Sequence, residues 1–137
     1  MGRILAIDYG RRRTGLAVSD PLQLIAGALA TVETKELERW LADYFQREEV
    51  TTIVLGKPTQ MNGQPSETWR YIEPLAGRLR HAYPDKEVVF YDERFTSVLA
   101  HRAMIDGGMK RSDRRDKAVV DKIAATIILE DYLQYRR

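Results

Sequence analysis

The sequence predicts an α/β fold, a five-stranded mixed sheet flanked by helices, from three observations. Short apolar runs at residues 4–7, 52–56 and 88–91 each lead into a turn carrying an acidic residue or glycine. Such runs read as strands buried on both faces, the pattern of a sheet covered by helices. Between and after them, apolar residues recur at helical spacing. The order of elements is three strands, helix, strand, helix, strand, helix, helix, and an initial hairpin followed by strand-helix units gives a mixed sheet. With 137 residues, 44% of them hydrophobic and 31% charged, the chain suits one globular domain. Residues 1–137 are therefore expected to form a single domain.

The first strand is Ile4-Leu5-Ala6-Ile7, ending in Asp8-Tyr9-Gly10. Gly15-Leu16-Ala17-Val18-Ser19 follows after a loop rich in arginine, and so short a connection implies an antiparallel hairpin. A third strand is expected over residues 27–32. Leu37, Trp40, Leu41, Tyr44 and Phe45 then fall at i, i+3, i+4, i+7 and i+8, the stripe of an amphipathic helix, with Thr34 as its candidate cap. After the strand over residues 52–56, a polar loop leads to a helix with Trp69, Ile72, Ala76 and Leu79 on one face. Pro74 lies inside that pattern, so a kink or break is expected there. The fifth strand, residues 88–91, runs into Asp92-Glu93-Arg94. A helix from about Thr96 should stop at Gly107-Gly108. Val120, Ile123, Ala124, Ile127 and Ile128 mark a closing helix. Right-handed crossovers would set Asp8, Gly56 and Glu93 at the carboxyl edge of three parallel strands, where ligands of open α/β sheets bind.

Composition excludes some chemistry. The absence of cysteine removes disulfides, thiol nucleophiles and thiolate metal sites. A net charge of +2 does not announce a nucleic-acid binder, but the charge is clustered. Arg11, Arg12 and Arg13 are consecutive, and residues 110–117 hold Lys110, Arg111, Arg114, Arg115 and Lys117 against Asp113 and Asp116. Each run alone could be a solvated surface. The residues 4–7 are too few for the apolar core of a signal peptide, and no run approaches the ~20 residues of a membrane span. A soluble, cytoplasmic protein is expected.

Asp8 and Glu93 each follow a strongly apolar strand, where a carboxylate is costly unless compensated. Asp121 opens the last helix beside Ala118, Ala124 and Ala125, small residues that would let the helix approach the sheet closely. Three convergent carboxylates repel one another unless a cation or proton intervenes, and Mg²⁺ suits an all-oxygen set. Taken singly, each acid has a plainer reading. Asp8 could be a turn residue before Gly10, Asp121 a helix-start charge, and Glu93 a partner of Arg94. Gly10 and Gly15 bracket four residues as in a phosphate-binding loop, but Leu16 stands where lysine is needed. His81 and His101 are isolated, and Trp40, Trp69 and Tyr44 fall at core spacing. Thr96 and Ser97 could cap a helix or hold a phosphate.

Four ordered motifs carry a resemblance. Asp8-Tyr9-Gly10 with Arg13, Gly15, Ala17, Ser19 and Asp20 resembles the opening of the YqgF family of pre-16S rRNA nucleases, related to Holliday-junction resolvases of the RNase H-like superfamily. Gly56-Lys57-Pro58 with Asn62-Gly63, Asp92-Glu93-Arg94 with Thr96-Ser97, and Val120-Asp121 with Ala124-Ala125 resemble its remaining motifs. The resemblance implies an RNase H-like fold and hydrolysis of nucleic-acid phosphodiesters assisted by Mg²⁺ or Mn²⁺. It carries the catalytic, metal-holding acids onto Asp8, Glu93 and Asp121, and phosphate contacts onto Arg13 and Arg94. Thr96, Ser97, Lys110, Arg111, Arg114 and Arg115 complete the expected substrate-binding set. Lys57 stands where an apolar residue is expected, and Pro74 where a continuous helix is.

Precursor rRNA is the expected partner, with branched DNA the alternative, and the expected state is a monomer or weak homodimer. A resolvase makes two coordinated cuts and needs a dimer, whereas trimming RNA does not. Two other classes compete. One is a noncatalytic nucleic-acid-binding regulator, which metal-dependent turnover would exclude. The other is an actin-like nucleotide-binding domain, which needs two domains around its nucleotide.

Overall fold

The computed structural model describes residues 2–58, 66–93 and 117–136. Its elements are β1 (Arg3–Asp8), β2 (Arg13–Ser19), β3 (Ala26–Glu33), a 3-10 turn (Thr34–Glu36), α1 (Leu37–Arg47), β4 (Val50–Lys57), α2 (Trp69–Ala82), β5 (Glu87–Asp92) and α3 (Lys117–Tyr135). The strands form one sheet in the order β3-β2-β1-β4-β5. β1, β2 and β3 pair antiparallel, while β4 and β5 continue from β1 in parallel. The expected mixed five-stranded sheet is thus present, with β1, β4 and β5 ending at one edge. The helix expected between residues 96 and 107 lies outside the described residues. So do Arg94, Thr96, Ser97 and the basic run at Lys110, Arg111, Arg114 and Arg115.

The unbroken apolar runs are explained by two cores, one on each face of the sheet. Side chains alternate between faces along a strand. Leu5 and Ile7 join Leu16, Ile53 and Leu55 beneath α1 and α2. Ile4 and Ala6 join Ala17, Val54, Ala124, Ala125, Ile128 and Leu129 beneath α3. The second core is built from smaller residues, so α3 lies close to the sheet.

Two local expectations are corrected. Pro74 neither breaks nor ends its helix: α2 runs from Trp69 to Ala82 through it. Pro74 is exposed, while Ile72, Leu75, Ala76 and Leu79 are fully buried, so burial of that face outweighs one missing backbone bond. Thr34 does not cap α1, which has Glu36 at its N-cap and no side-chain cap bond. Instead the Thr34 hydroxyl donates to the Gly10 carbonyl at 2.6 Å, and its N–H donates to the Arg12 carbonyl at 2.9 Å. Thr34 thereby fixes the arginine loop between β1 and β2.

At the opposite end of the sheet, Asp20 organises the β2–β3 connection. Its Oδ1 accepts the N–H groups of Leu24 and Ile25, both at 2.8 Å, and its Oδ2 accepts that of Leu22 at 3.1 Å. Gln23 takes φ of 61°, and Arg136 at the end of α3 donates to its side chain and carbonyl. Among the described residues, no helix is long and apolar enough to cross a membrane.

Candidate active site

Alternation along each strand puts the candidate acids on one face. Asp8 shares the orientation of Ile4 and Ala6, toward α3. Gly15 is paired with Asp8 across the β1–β2 ladder and shares the orientation of Ala17. Gly56 lies one residue beyond the Ile7–Leu55 pair of β1 and β4 and faces the same way as Val54. Glu93 follows β5 directly, two residues beyond Tyr91, which packs against that same core.

Both glycines are required by close approach. A β-carbon at Gly15 would collide with the Asp121 carbonyl, so the backbone of α3 rests on β2 beside Asp8. A β-carbon at Gly56 would lie 2.8 Å from Ile128 Cδ1 and 3.0 Å from Glu93 Oε1, so the Glu93 carboxylate reaches over β4. The sequence Asp121, Gly15, Asp8, Gly56, Glu93 thus crosses the sheet edge from α3 to β5. Glycines alternate with the acids.

Burial differs among the three acids. Asp8 is 7% exposed and Glu93 1%, whereas the Asp121 side chain retains 26% and binds Arg13, Oδ2 accepting from Nε at 3.2 Å. Among the described residues, no three acidic or imidazole side chains stand close enough as arranged to hold one metal ion. Asp121 also sits one turn inside α3, whose first described residue is Lys117, rather than opening the helix. The helix-start reading of that residue therefore loses its basis.

Positive charge flanks the acids. Arg11, Arg12, Arg13 and Lys35, with Glu33, line a concave surface of about 470 Å³. The Arg11 guanidinium also lies over the Tyr71 ring, 5.4 Å from its centroid. Lys57, the residue expected to be apolar, lies over the Trp69 ring at 5.0 Å, and Trp69 meets Phe90 edge-on. Trp40 stacks on Tyr44 against the core, as its spacing implied, and His81 is exposed on α2. The Arg13–Asp121 pair was not legible in the sequence. Its partners are 108 residues apart, and they meet because α3 packs on β2, in closest approach at Gly15.

Comparison with known proteins decides the family. The profile of the RuvX family, described as Holliday junction resolvase, matches residues 2–135. The chain belongs to that family. It is 55% identical over 137 residues to a protein of Phocaeicola vulgatus, covering 100% of this chain and 99% of the relative. It is 53% identical over 137 residues to one of Bacteroides thetaiotaomicron, with 100% and 99% covered. Both relatives bear the name "Putative pre-16S rRNA nuclease". Among solved structures, RuvC of T. thermophilus in complex with a Holliday junction substrate superimposes with a TM-score of 0.57 at 18% identity. That match covers 98% of this chain and 95% of RuvC. The RuvX chain therefore has the RNase H-like fold that its motifs implied.

Proposed function

We propose that this RuvX-family chain is a divalent-metal-dependent nuclease that hydrolyses phosphodiesters of the 16S rRNA precursor in the cytoplasm. The observation that carries the reading is the line of Asp8, Glu93 and Asp121 along one face of the sheet edge, spaced by Gly15 and Gly56. The names of the curated relatives supply the substrate.

The donors suit a hard cation, since all are carboxylates and two are buried at positions where negative charge needs compensation. Asp8, Glu93 and Asp121 would hold Mg²⁺ or Mn²⁺. When bound, such an ion lowers the pKa of a water nucleophile and stabilises the departing oxygen. The protein's own residues position the strand. Arg11, Arg12 and Lys35 present a concave cationic surface beside the acids, suited to phosphate oxygens. Arg13, Arg94, Thr96, Ser97, Lys110, Arg111, Arg114 and Arg115 extend the contact set, with Arg94 next to Glu93 offsetting charge at the scissile phosphate.

Purified protein with Mg²⁺ or Mn²⁺, offered precursor rRNA ends, single-stranded RNA and a four-way DNA junction, tests the reading. Cleavage of precursor ends is expected. Asp8→Asn should lower it by several orders of magnitude while the protein stays folded. Unchanged cleavage by that variant, with contaminating nuclease excluded, sinks the assignment. The family description favours a second reading, a junction resolvase. Paired cuts in the DNA junction by a dimer, with precursor rRNA left intact, would establish it instead.

A further inference from the structure

Asp121 differs from the other two acids in being carried by a helix, and its carboxylate holds the Arg13 guanidinium. Its backbone is fixed, because Gly15 leaves no room between β2 and α3. The Arg13 backbone is fixed as well, at the start of β2 and beyond a loop tied down by Thr34. The two side chains can still turn, since that of Arg13 is 41% exposed and that of Asp121 26%. We propose that Arg13 occupies the third ligand position of the metal site, and that a divalent cation binds by displacing its guanidinium from Asp121. The proposal rests on the nuclease reading above.

Three observations support it. As arranged, no three acids among the described residues can share one ion, and the Asp121 carboxylate is the one engaged by Arg13. The carboxylates of Asp8 and Glu93 lie buried along the same edge, and a divalent ion attracts carboxylates more strongly than a singly charged guanidinium does. A half-exposed ion pair is weak and screened by solvent, so it yields at small cost. Released, the guanidinium remains on the concave surface it already lines with Arg11, Arg12 and Lys35. Binding of the metal would then also hand a cation to the side of the site where phosphate is expected.

The opposite role, in which Arg13 orients Asp121 for the metal, predicts the opposite sign. Displacement means that removing Arg13 strengthens metal binding, while orientation means that removal weakens it. The experiment is calorimetric titration of the full chain with Mn²⁺ alone, with thermal melts in metal-free buffer to confirm folding. Arg13→Gln should bind Mn²⁺ roughly two- to fivefold more tightly than the wild type, the range set by the worth of an exposed ion pair. Arg12→Gln removes the same charge from the same surface without touching Asp121, and should give a smaller gain. Adding Asp121→Asn to Arg13→Gln should abolish the gain. Arg13→Lys, which keeps the charge, should bind more tightly by a smaller factor, and it decides the matter if Arg13→Gln does not fold. Equal or weaker Mn²⁺ binding by Arg13→Gln, or an equal gain from Arg12→Gln, overturns the displacement and leaves the nuclease reading standing. A wild-type chain that binds no Mn²⁺ at all overturns both.

Discussion

A β-carbon at Gly15 would be driven into main-chain atoms of Asp121, which cannot swing aside as a side chain can. Gly15→Ala should therefore force α3 off the sheet and destabilise the protein by about 1–3 kcal/mol, the usual cost of overpacking. A urea melt measures that loss, and metal-dependent cleavage should fall with it. Gly56 offers a contrast, because its near neighbours are the ends of two side chains, Ile128 Cδ1 and Glu93 Oε1. Gly56→Ala should cost less stability but push the Glu93 carboxylate out of place. The expected signature is a protein that melts near the wild-type temperature yet cleaves poorly. If Gly56→Ala keeps full activity, the reach of Glu93 over β4 has no bearing on chemistry. The sequence made both glycines visible as motif members, made Glu93 visible as a carboxylate following an apolar strand, and placed Asp121 on the closing helix. What each glycine admits depends on contacts to Asp121 and Glu93 across the fold, which no local pattern encodes.

Among the elements, α2 and the turn that precedes α1 show where local rules mislead. Pro74 signalled a kink or a break, but the buried row of Ile72, Leu75, Ala76 and Leu79 keeps the helix unbroken through it. Restoring the missing N–H with Pro74→Ala should raise stability by about 1–2 kcal/mol, somewhat less than the full helix-interior cost of proline because the unfolded chain gains freedom. Thr34 likewise looked like a cap, and its hydroxyl went to Gly10 because the hairpin loop passes within reach. The Asp20 connection carries a pH dependence. The N–H groups of Ile25 and then Leu24 hold its carboxyl below the usual carboxylate range. A lowered folded-state pKa means the stabilisation is full above the unfolded value and is lost as pH falls through the folded one. Asp20→Asn should thus be less stable than the wild type near neutrality, and the gap should close below about pH 4. Urea midpoints of both proteins across that range provide the check.

For the molecule as a whole, the two-sided core explains why the strand topology was readable while the site was only partly so. Runs such as Ile4 to Ile7 lack alternation because opposite faces feed separate cores. Helical stripes and the short hairpin then fix the order of elements. That order implied that Asp8, Glu93 and Asp121 share one face of the sheet edge. It did not imply that, as arranged, they stand too far apart to share one ion, nor that Arg13 meets Asp121. A metal ion that binds only the folded chain stabilises it by mass action, about 2.7 kcal/mol at a hundredfold excess over Kd. Millimolar Mg²⁺ or Mn²⁺ should therefore raise the melting temperature by several degrees, and Asp121→Asn should shrink that rise. Melts indifferent to both ions would favour a nucleic-acid-binding role without chemistry.

The seating of α3 on Gly15 also bears on the order in which the protein forms. Its partners come from opposite ends of the chain: Arg13 meets Asp121 across 108 positions, and Gln23 meets Arg136 across 113. Contacts of such separation pay the loop-closure entropy of nearly the entire polypeptide before they return any stability. The hairpin and the β1–β4 pairing close much shorter loops, and so can form first. The line of acids is then finished last, by docking of α3. A chain still being synthesised carries Asp8 and Glu93 without Asp121, so under the proposed nuclease function hydrolytic competence would arrive with the final helix and not with the sheet.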